Sequence, residues 1–169
     1  KVGYVFQDIN DIPNVVELPK ERIKPLGTAQ AIYCARNVVK ESFAVITSDD
    51  FYGQESFRIL ADNLRNQNDY IVVGYEIANT MSENGSVKRG ICFSTNGYID
   101  DIIESKIEKI NNEIVCTPLD GSEEFKVPSN TPTFMLMVGL KPNIFDFMEE
   151  NIKEFLIQNK TNLTTCEYF

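Results

Sequence analysis

Two unbroken apolar runs, Phe43-Ala44-Val45-Ile46-Thr47 and Tyr70-Ile71-Val72-Val73-Gly74-Tyr75, limit what this chain can become more than anything else in it. Apolar runs without alternation suit strands covered on both faces, as in parallel sheets. Between them Phe57, Leu60, Ala61 and Leu64 recur at helical spacing, which predicts a helix over residues 54–66. Upstream, Gly27-Thr28 opens another helix, over residues 29–40, with Ala31, Ile32, Ala35, Val38 and Val39 as its apolar face. Lys1-Val2-Gly3-Tyr4-Val5-Phe6 reads as a strand, and residues 8–24, with Pro13 and Pro19, as a loop. Strand–helix–strand–helix–strand predicts an α/β domain whose central sheet is mostly parallel, mixed at most, and flanked by helices.

The second half reads differently. Residues 87–93 and 98–104 are short strands joined by an Asn96-Gly97 hairpin turn. Residues 107–127 are polar and irregular, with turns at Asn111-Asn112 and Asp120-Gly121. Residues 133–140 form a strand. Pro142 then opens a last helix over 143–158, with Ile144, Phe145, Met148, Ile152, Phe155 and Leu156 on one face. No repeat or linker divides the chain, so residues 1–169 are expected to make one domain.

A chain that is 43% hydrophobic with 11 Phe and 7 Tyr has material for a core. Its net charge of -9 is a poor match for a nucleic-acid backbone or an anionic membrane, so neither is an expected partner. Cys34, Cys92, Cys116 and Cys166 make no C-x-x-C pair, and there is no histidine, which argues against zinc. The spacing does not suggest a disulfide framework; reduced thiols in a cytoplasmic protein are the expectation. No apolar run approaches the ~20 residues of a membrane span.

Chemistry concentrates at a few places. Asp49-Asp50 follows the first apolar run, where an open α/β sheet binds ligands. Carboxylates there can hold Mg²⁺, or one can cap the following helix. Lys24-Pro25-Leu26-Gly27-Thr28-Ala29-Gln30 is a loop-to-helix junction. Glycine admits a ligand to the backbone, and the Gln30 amide can pair with a base edge. The plainer reading is a turn and a cap. Arg89 and Lys106 suit phosphate, Gly90 adjoins Arg89, and Glu104 suits sugar hydroxyls, although such charges are more often solvated surface. Glu149, Glu150, Lys153 and Glu154 are simplest as an exposed helix face.

Taken together, these segments resemble a bacterial branch of the sugar-phosphate nucleotidyltransferases. That branch has a strand ending in Asn-Ala-Asp-Asp-Phe-Tyr-Gly, here Thr47-Ser48-Asp49-Asp50-Phe51-Tyr52-Gly53. Its Lys-Pro-Trp-Gly-Thr is Lys24-Pro25-Leu26-Gly27-Thr28. Its Thr-Leu-Ser-Glu-Asn-Gly-x-Val-x-Arg-Gly-Val-Cys is Thr80-Met81-Ser82-Glu83-Asn84-Gly85-Ser86-Val87-Lys88-Arg89-Gly90-Ile91-Cys92. Its Gly-Phe-x-Pro-x-Ile-Phe is Gly139-Leu140-Lys141-Pro142-Asn143-Ile144-Phe145. The likeness runs from Tyr4 to Phe169. It implies a Rossmann-like, glycosyltransferase-A-like fold, incomplete at both ends: the Gly-rich triphosphate loop would precede Lys1, and a second metal-binding Asp would follow Phe169.

The resemblance also implies roles. Asp49 and Asp50 would be catalytic, with Asp49 the Mg²⁺ ligand. Gly27, Thr28 and Gln30 would bind the nucleotide. Arg89, Gly90, Glu104 and Lys106 would bind the phosphorylated substrate. The reaction would be attack of a sugar 1-phosphate oxygen on the α-phosphorus of a nucleoside triphosphate, releasing pyrophosphate, and these 169 residues alone are expected to be inactive. Two departures stand out. The branch's Ser-Met-Asn-x-Trp-Gly-Phe is Phe134-Met135-Leu136-Met137-Val138-Gly139-Leu140, with Leu136 at the Asn position, and Ser105 separates Glu104 from Lys106. A glycosyltransferase using a nucleotide-sugar donor and a non-catalytic nucleotide- or sugar-binding module are the alternatives.

Overall fold

The computed structural model describes residues 2–66, 69–82 and 85–168. Lys1 of the expected first strand, Glu83-Asn84 of the third motif and Phe169 lie outside the described residues. The chain divides into two compact units, Lys1–Phe43 with Leu140–Phe169, and Ala44–Gly139.

The first unit is rich in loops. It holds helix α1 (Thr28–Cys34), which tightens into a 3-10 turn at Ala35–Asn37, and helix α3 (Ile144–Gln158). The helix expected to run to residue 40 therefore ends early, and Val38, which was to line its apolar face, is exposed. Tyr33 of α1 packs with Ile152 and Leu156 of α3 and with Leu26, Leu163 and Cys166 from the loops. Residues 2–6 take no regular structure, and Tyr4 and Phe6 are each 86% exposed.

Most of the second unit is sheet. Its elements are β1 (Phe43–Val45), helix α2 (Gln54–Asn66), β2 (Ile71–Glu76), a 3-10 turn at Ile77–Thr80, β3 (Val87–Thr95), β4 (Tyr98–Ile110), β5 (Glu113–Pro118), β6 (Phe125–Val127) and β7 (Pro132–Leu140). The strand order is β1-β7-β3-β4-β5-β6, with β2 also pairing β7. The pairs β2–β7, β3–β4, β3–β7, β4–β5 and β5–β6 are all antiparallel.

That overturns the expected parallel, Rossmann-like sheet. The long apolar run at 70–75 does make a strand, but its partner is the antiparallel β7. An apolar run reports burial of a strand, not the direction of its neighbour. Residues 107–127, expected to be irregular, extend β4 and supply β5 and β6. The turns were rightly placed. Asn96 and Gly97 have φ of 53° and 83°, and Asn111 and Asn112 have φ of 50° and 67°. Two successive left-handed residues make the turn that joins twisted antiparallel strands, and Asn and Gly accept that conformation.

Two apolar clusters sit in this unit. Ile91, Ile107, Ile114 and Cys116 meet Ile77 on one face of the ribbon. Leu60 of α2 joins Tyr52, Val73 and Met137. α2 lies close over β7: a Cβ on Gly139 would come within 2.8 Å of Leu64 and 3.0 Å of Leu60. The β2–β7 register slips between Val72 and Gly74, opposite β7 residues 135–137. Leu136, inside that slip, has φ of 53°.

Candidate functional site

Most of the candidate residues belong to the second unit. The turn after β1 is held by Tyr52, which is 5% exposed. Its hydroxyl accepts the Thr47 N–H at 2.9 Å and donates to the Met135 carbonyl at 2.9 Å. Thr47 Oγ1 donates to the Asp50 carboxylate at 2.7 Å. Asp50 is thereby tied back to the end of β1. Asp49 is exposed, and Gly53, with φ of 76°, lets the chain leave the turn toward α2. The result is a fixed loop that presents Asp49 to solvent.

The other four candidates of this unit lie on β3 and β4. Directly opposed residues of an antiparallel pair share a face, and faces alternate along each strand. Gly90 opposes Glu104, and Lys106 is two residues further along β4, so these three share one face. Arg89 opposes Ser105 and projects from the other face. One Arg89 amine donates to the Lys88 carbonyl, while its buried Nε has no partner.

Gly90 is buried beneath its neighbours. A Cβ there would come within 2.6 Å of Ile102 Cγ2, 3.0 Å of Glu104 Oε1 and 3.2 Å of Phe134 Cβ. The missing side chain is what lets the Glu104 carboxylate lean over the strand. Loss of hydration in that position raises the Glu104 pKa above its ordinary value, against an opposing pull from the Arg89 charge. Burial and then the Glu104 charge push the neighbouring Cys92 thiol up to about 11. Lys106 pairs with Glu108 at 2.7 Å.

Gly27, Thr28 and Gln30 belong to the first unit. Gln30 is 0% exposed, and its amide is fully used. Its Oε1 accepts from the Leu26 N–H at 2.8 Å and from Gln7 at 3.2 Å. Its Nε2 donates to the Asp8 carbonyl at 2.8 Å and faces the Asp11 carbonyl at 3.4 Å. An amide has two donors and two acceptor sites, so no edge is left for a base in this conformation. Gly27, with φ of 124°, is crossed by the tail: a Cβ would meet the Tyr168 carbonyl oxygen at 2.5 Å. Thr28 begins α1, with Gly27 at the cap position.

Among the described residues, no group of three or more His, Cys, Asp or Glu could hold a metal ion. The carboxylates that the sequence offered for Mg²⁺ are Asp49, which is exposed, and Asp50, which is already engaged by Thr47. Mg²⁺ commonly takes one or two carboxylates and completes its shell with water and substrate phosphates, so this set fits it. Sequence reasoning passed over Lys88, which opposes Lys106 directly. Plain counting back from the Asn96-Gly97 turn would pair Lys88 with Ser105; the register shift between Phe93 and Ser94 moves its partner to Lys106, and no residue pattern in the sequence announced that shift.

Compared with models of known protein families and with curated proteins, the chain matches none. Among the described residues, no helix is long and apolar enough to cross a membrane.

Proposed function

We propose that this chain serves a nucleotidyltransferase, which transfers a nucleoside monophosphate from a nucleoside triphosphate to a sugar 1-phosphate or similar phosphorylated small molecule and releases pyrophosphate. The observation that carries the reading is the order of four motifs along the sequence: 24–28, 47–53, 80–92 and 139–145. Asp49 on its fixed turn, and Glu104 and Lys106 on one face of the β3–β4 ladder, are compatible with it.

In this reading Asp49 holds Mg²⁺, which supplies charge neutralisation to the phosphates when bound. Lys106 offsets the charge of the phosphorylated substrate, and Glu104 accepts hydrogen bonds from its hydroxyls. Both reactants are anionic, so the protein's part is to position them and offset charge; no protein nucleophile is required. Gln30 contributes by shaping the loop around Gly27 through its amide contacts. The four cysteines are unpaired, in keeping with a cytoplasmic setting.

A second reading, a module that binds a nucleotide or sugar without transfer, is favoured by the engaged Gln30 amide and by Leu136 at the Asn position. Pyrophosphate release by the intact protein separates the two, using several nucleoside triphosphates with sugar 1-phosphates and Mg²⁺. Release that depends on both substrates supports transfer. Binding of either substrate without release supports the module and removes the enzyme reading.

A further inference from the structure

Resting on that reading of Glu104 and Lys106, we propose that Lys88 is a phosphate-binding residue of the same site. It acts with Lys106 across the β3–β4 ladder, on a substrate that carries a phosphate monoester at one end and hydroxyls at the other.

The register places two rungs side by side on one face. Lys88 opposes Lys106, and Gly90 opposes Glu104. Directly opposed side chains start about 5 Å apart at Cβ. Rungs two residues apart on one face are separated by about 7 Å. A hexose phosphate spans that distance, with its phosphate on the lysine rung and ring hydroxyls on the glutamate rung.

The charges support the same arrangement. Like charges directly opposed across a ladder are unfavourable. Only Lys106 has a counter-charge, Glu108 at 2.7 Å. Among the described residues no carboxylate pairs with Lys88, in a chain whose net charge is -9. A phosphate dianion between the two ammonium groups would relieve their repulsion and receive two charge-assisted hydrogen bonds. Arg89 projects from the other face and cannot share that contact without leaving its present position. On the glutamate rung, Ile102, Phe134 and the Glu104 carboxylate itself crowd the space above Gly90. The ladder thus separates a cationic end from an acceptor end.

The test uses the 169-residue chain, with glucose 1-phosphate, glucose and inorganic phosphate as separate probes. Calorimetry measures affinity, and backbone amide shifts locate binding. The expected result is that glucose 1-phosphate binds with shifts on β3 and β4, and that glucose and phosphate each bind at least about tenfold more weakly. Lys88→Ala should weaken glucose 1-phosphate by about tenfold, as loss of one charge-assisted hydrogen bond does. Lys88→Arg should restore much of it, and Lys109→Ala, on the other face, should change it little. No binding, unchanged affinity in Lys88→Ala, shifts away from these strands, or phosphate binding as tightly as the ester would each overturn the proposal. Its failure is separable from that of the transfer reading. In an active intact protein, an unchanged KM for the phosphorylated substrate in Lys88→Ala removes Lys88 alone. Binding on these strands without pyrophosphate release removes the transferase reading and leaves the site.

Discussion

The two units rely on polar side chains to different extents. In the first unit they complete the fold. Gln30 ties Leu26, Gln7 and Asp8 together, and the buried Arg22 donates to the carbonyls of Leu163, Pro25 and Cys166. Loops without a ladder must satisfy their buried carbonyls and amides somehow, and side chains do it here. In the second unit the strand ladders satisfy much of the backbone, Tyr52 and Thr133 add side-chain bonds to the Thr47 N–H and to the Met135 and Tyr75 carbonyls, and Asp49, Lys88 and Glu104 stand outside that bonding. Polar residues free of structural duty are the ones a ligand can use. The comparison therefore favours the second unit as the place where substrate chemistry concentrates.

The sharpest test of that contrast is Asp49→Asn in the intact protein. Losing the carboxylate that fits Mg²⁺ should lower pyrophosphate release by about a thousandfold, roughly 4 kcal/mol of barrier, with the melting temperature unchanged. Asp50→Asn should be milder in rate. It weakens the Thr47 contact, worth about 1 kcal/mol of stability. An inert Asp50→Asn enzyme beside an active Asp49→Asn one would reverse the two roles.

From the first unit the matching substitution is Gln30→Leu. It leaves the Leu26 N–H and the Asp8 carbonyl without their side-chain partner, and the expected loss of stability is about 3 kcal/mol by urea unfolding. If the variant unfolds like the parent but loses nucleoside triphosphate binding, Gln30 is a ligand residue and the contrast between the units breaks.

How far the sequence could be read follows the same division. α2 was predicted over 54–66 and spans Gln54–Asn66, because one amphipathic face decides it. The hairpin turns were legible because Asn and Gly accept positive φ. The direction of the sheet was not legible. The apolar character of the run at 70–75 is read from the strand itself, although only Val73 of it is buried, whereas its antiparallel pairing depends on β7, some sixty residues later. β5 and β6 were missed because Glu113, Thr117 and Lys126 on the solvent side masked Ile114, Cys116 and Val127 on the core side. The Asp49-Asp50 pair stood out in sequence, but the hydrogen bonds that separate the two aspartates come from Thr47, and the turn's anchor comes from the distant Met135.

Leu136 offers a smaller test. A leucine in the left-handed region costs about 1–2 kcal/mol, while Asn accepts that region more readily. Leu136→Asn should raise stability by about 1 kcal/mol, read as a higher urea midpoint with an unchanged slope. Lower stability would mean that the packing of the Leu136 side chain outweighs the backbone strain.

The smallest expected effect is in pH dependence, where the units should differ in sign. Asp11, in the first unit, accepts from both terminal nitrogens of Arg36, one of them at 2.9 Å, and these hydrogen bonds hold its pKa below 3.8 despite partial burial. The stability it contributes is present above that unfolded value and is lost as pH falls through the lower folded one. Glu104, in the second unit, behaves oppositely. Desolvation raises its pKa above 4.5, only partly offset by Arg89, so the folded state binds its proton more tightly than the unfolded chain does. Stability from this group falls as pH rises from 4.5 through the folded value and is level beyond it. Urea midpoints of Asp11→Asn and Glu104→Gln, measured against the parent from about pH 3 to 7, read both signs. Asp11→Asn should be the less stable at neutral pH, with the deficit closing on acidification. Glu104→Gln should be the more stable at neutral pH, with its advantage closing over the same acid range. If Glu104→Gln is instead less stable at neutral pH, the carboxylate is supporting the fold like Asp11, and Glu104 is no longer a group held ready for a ligand.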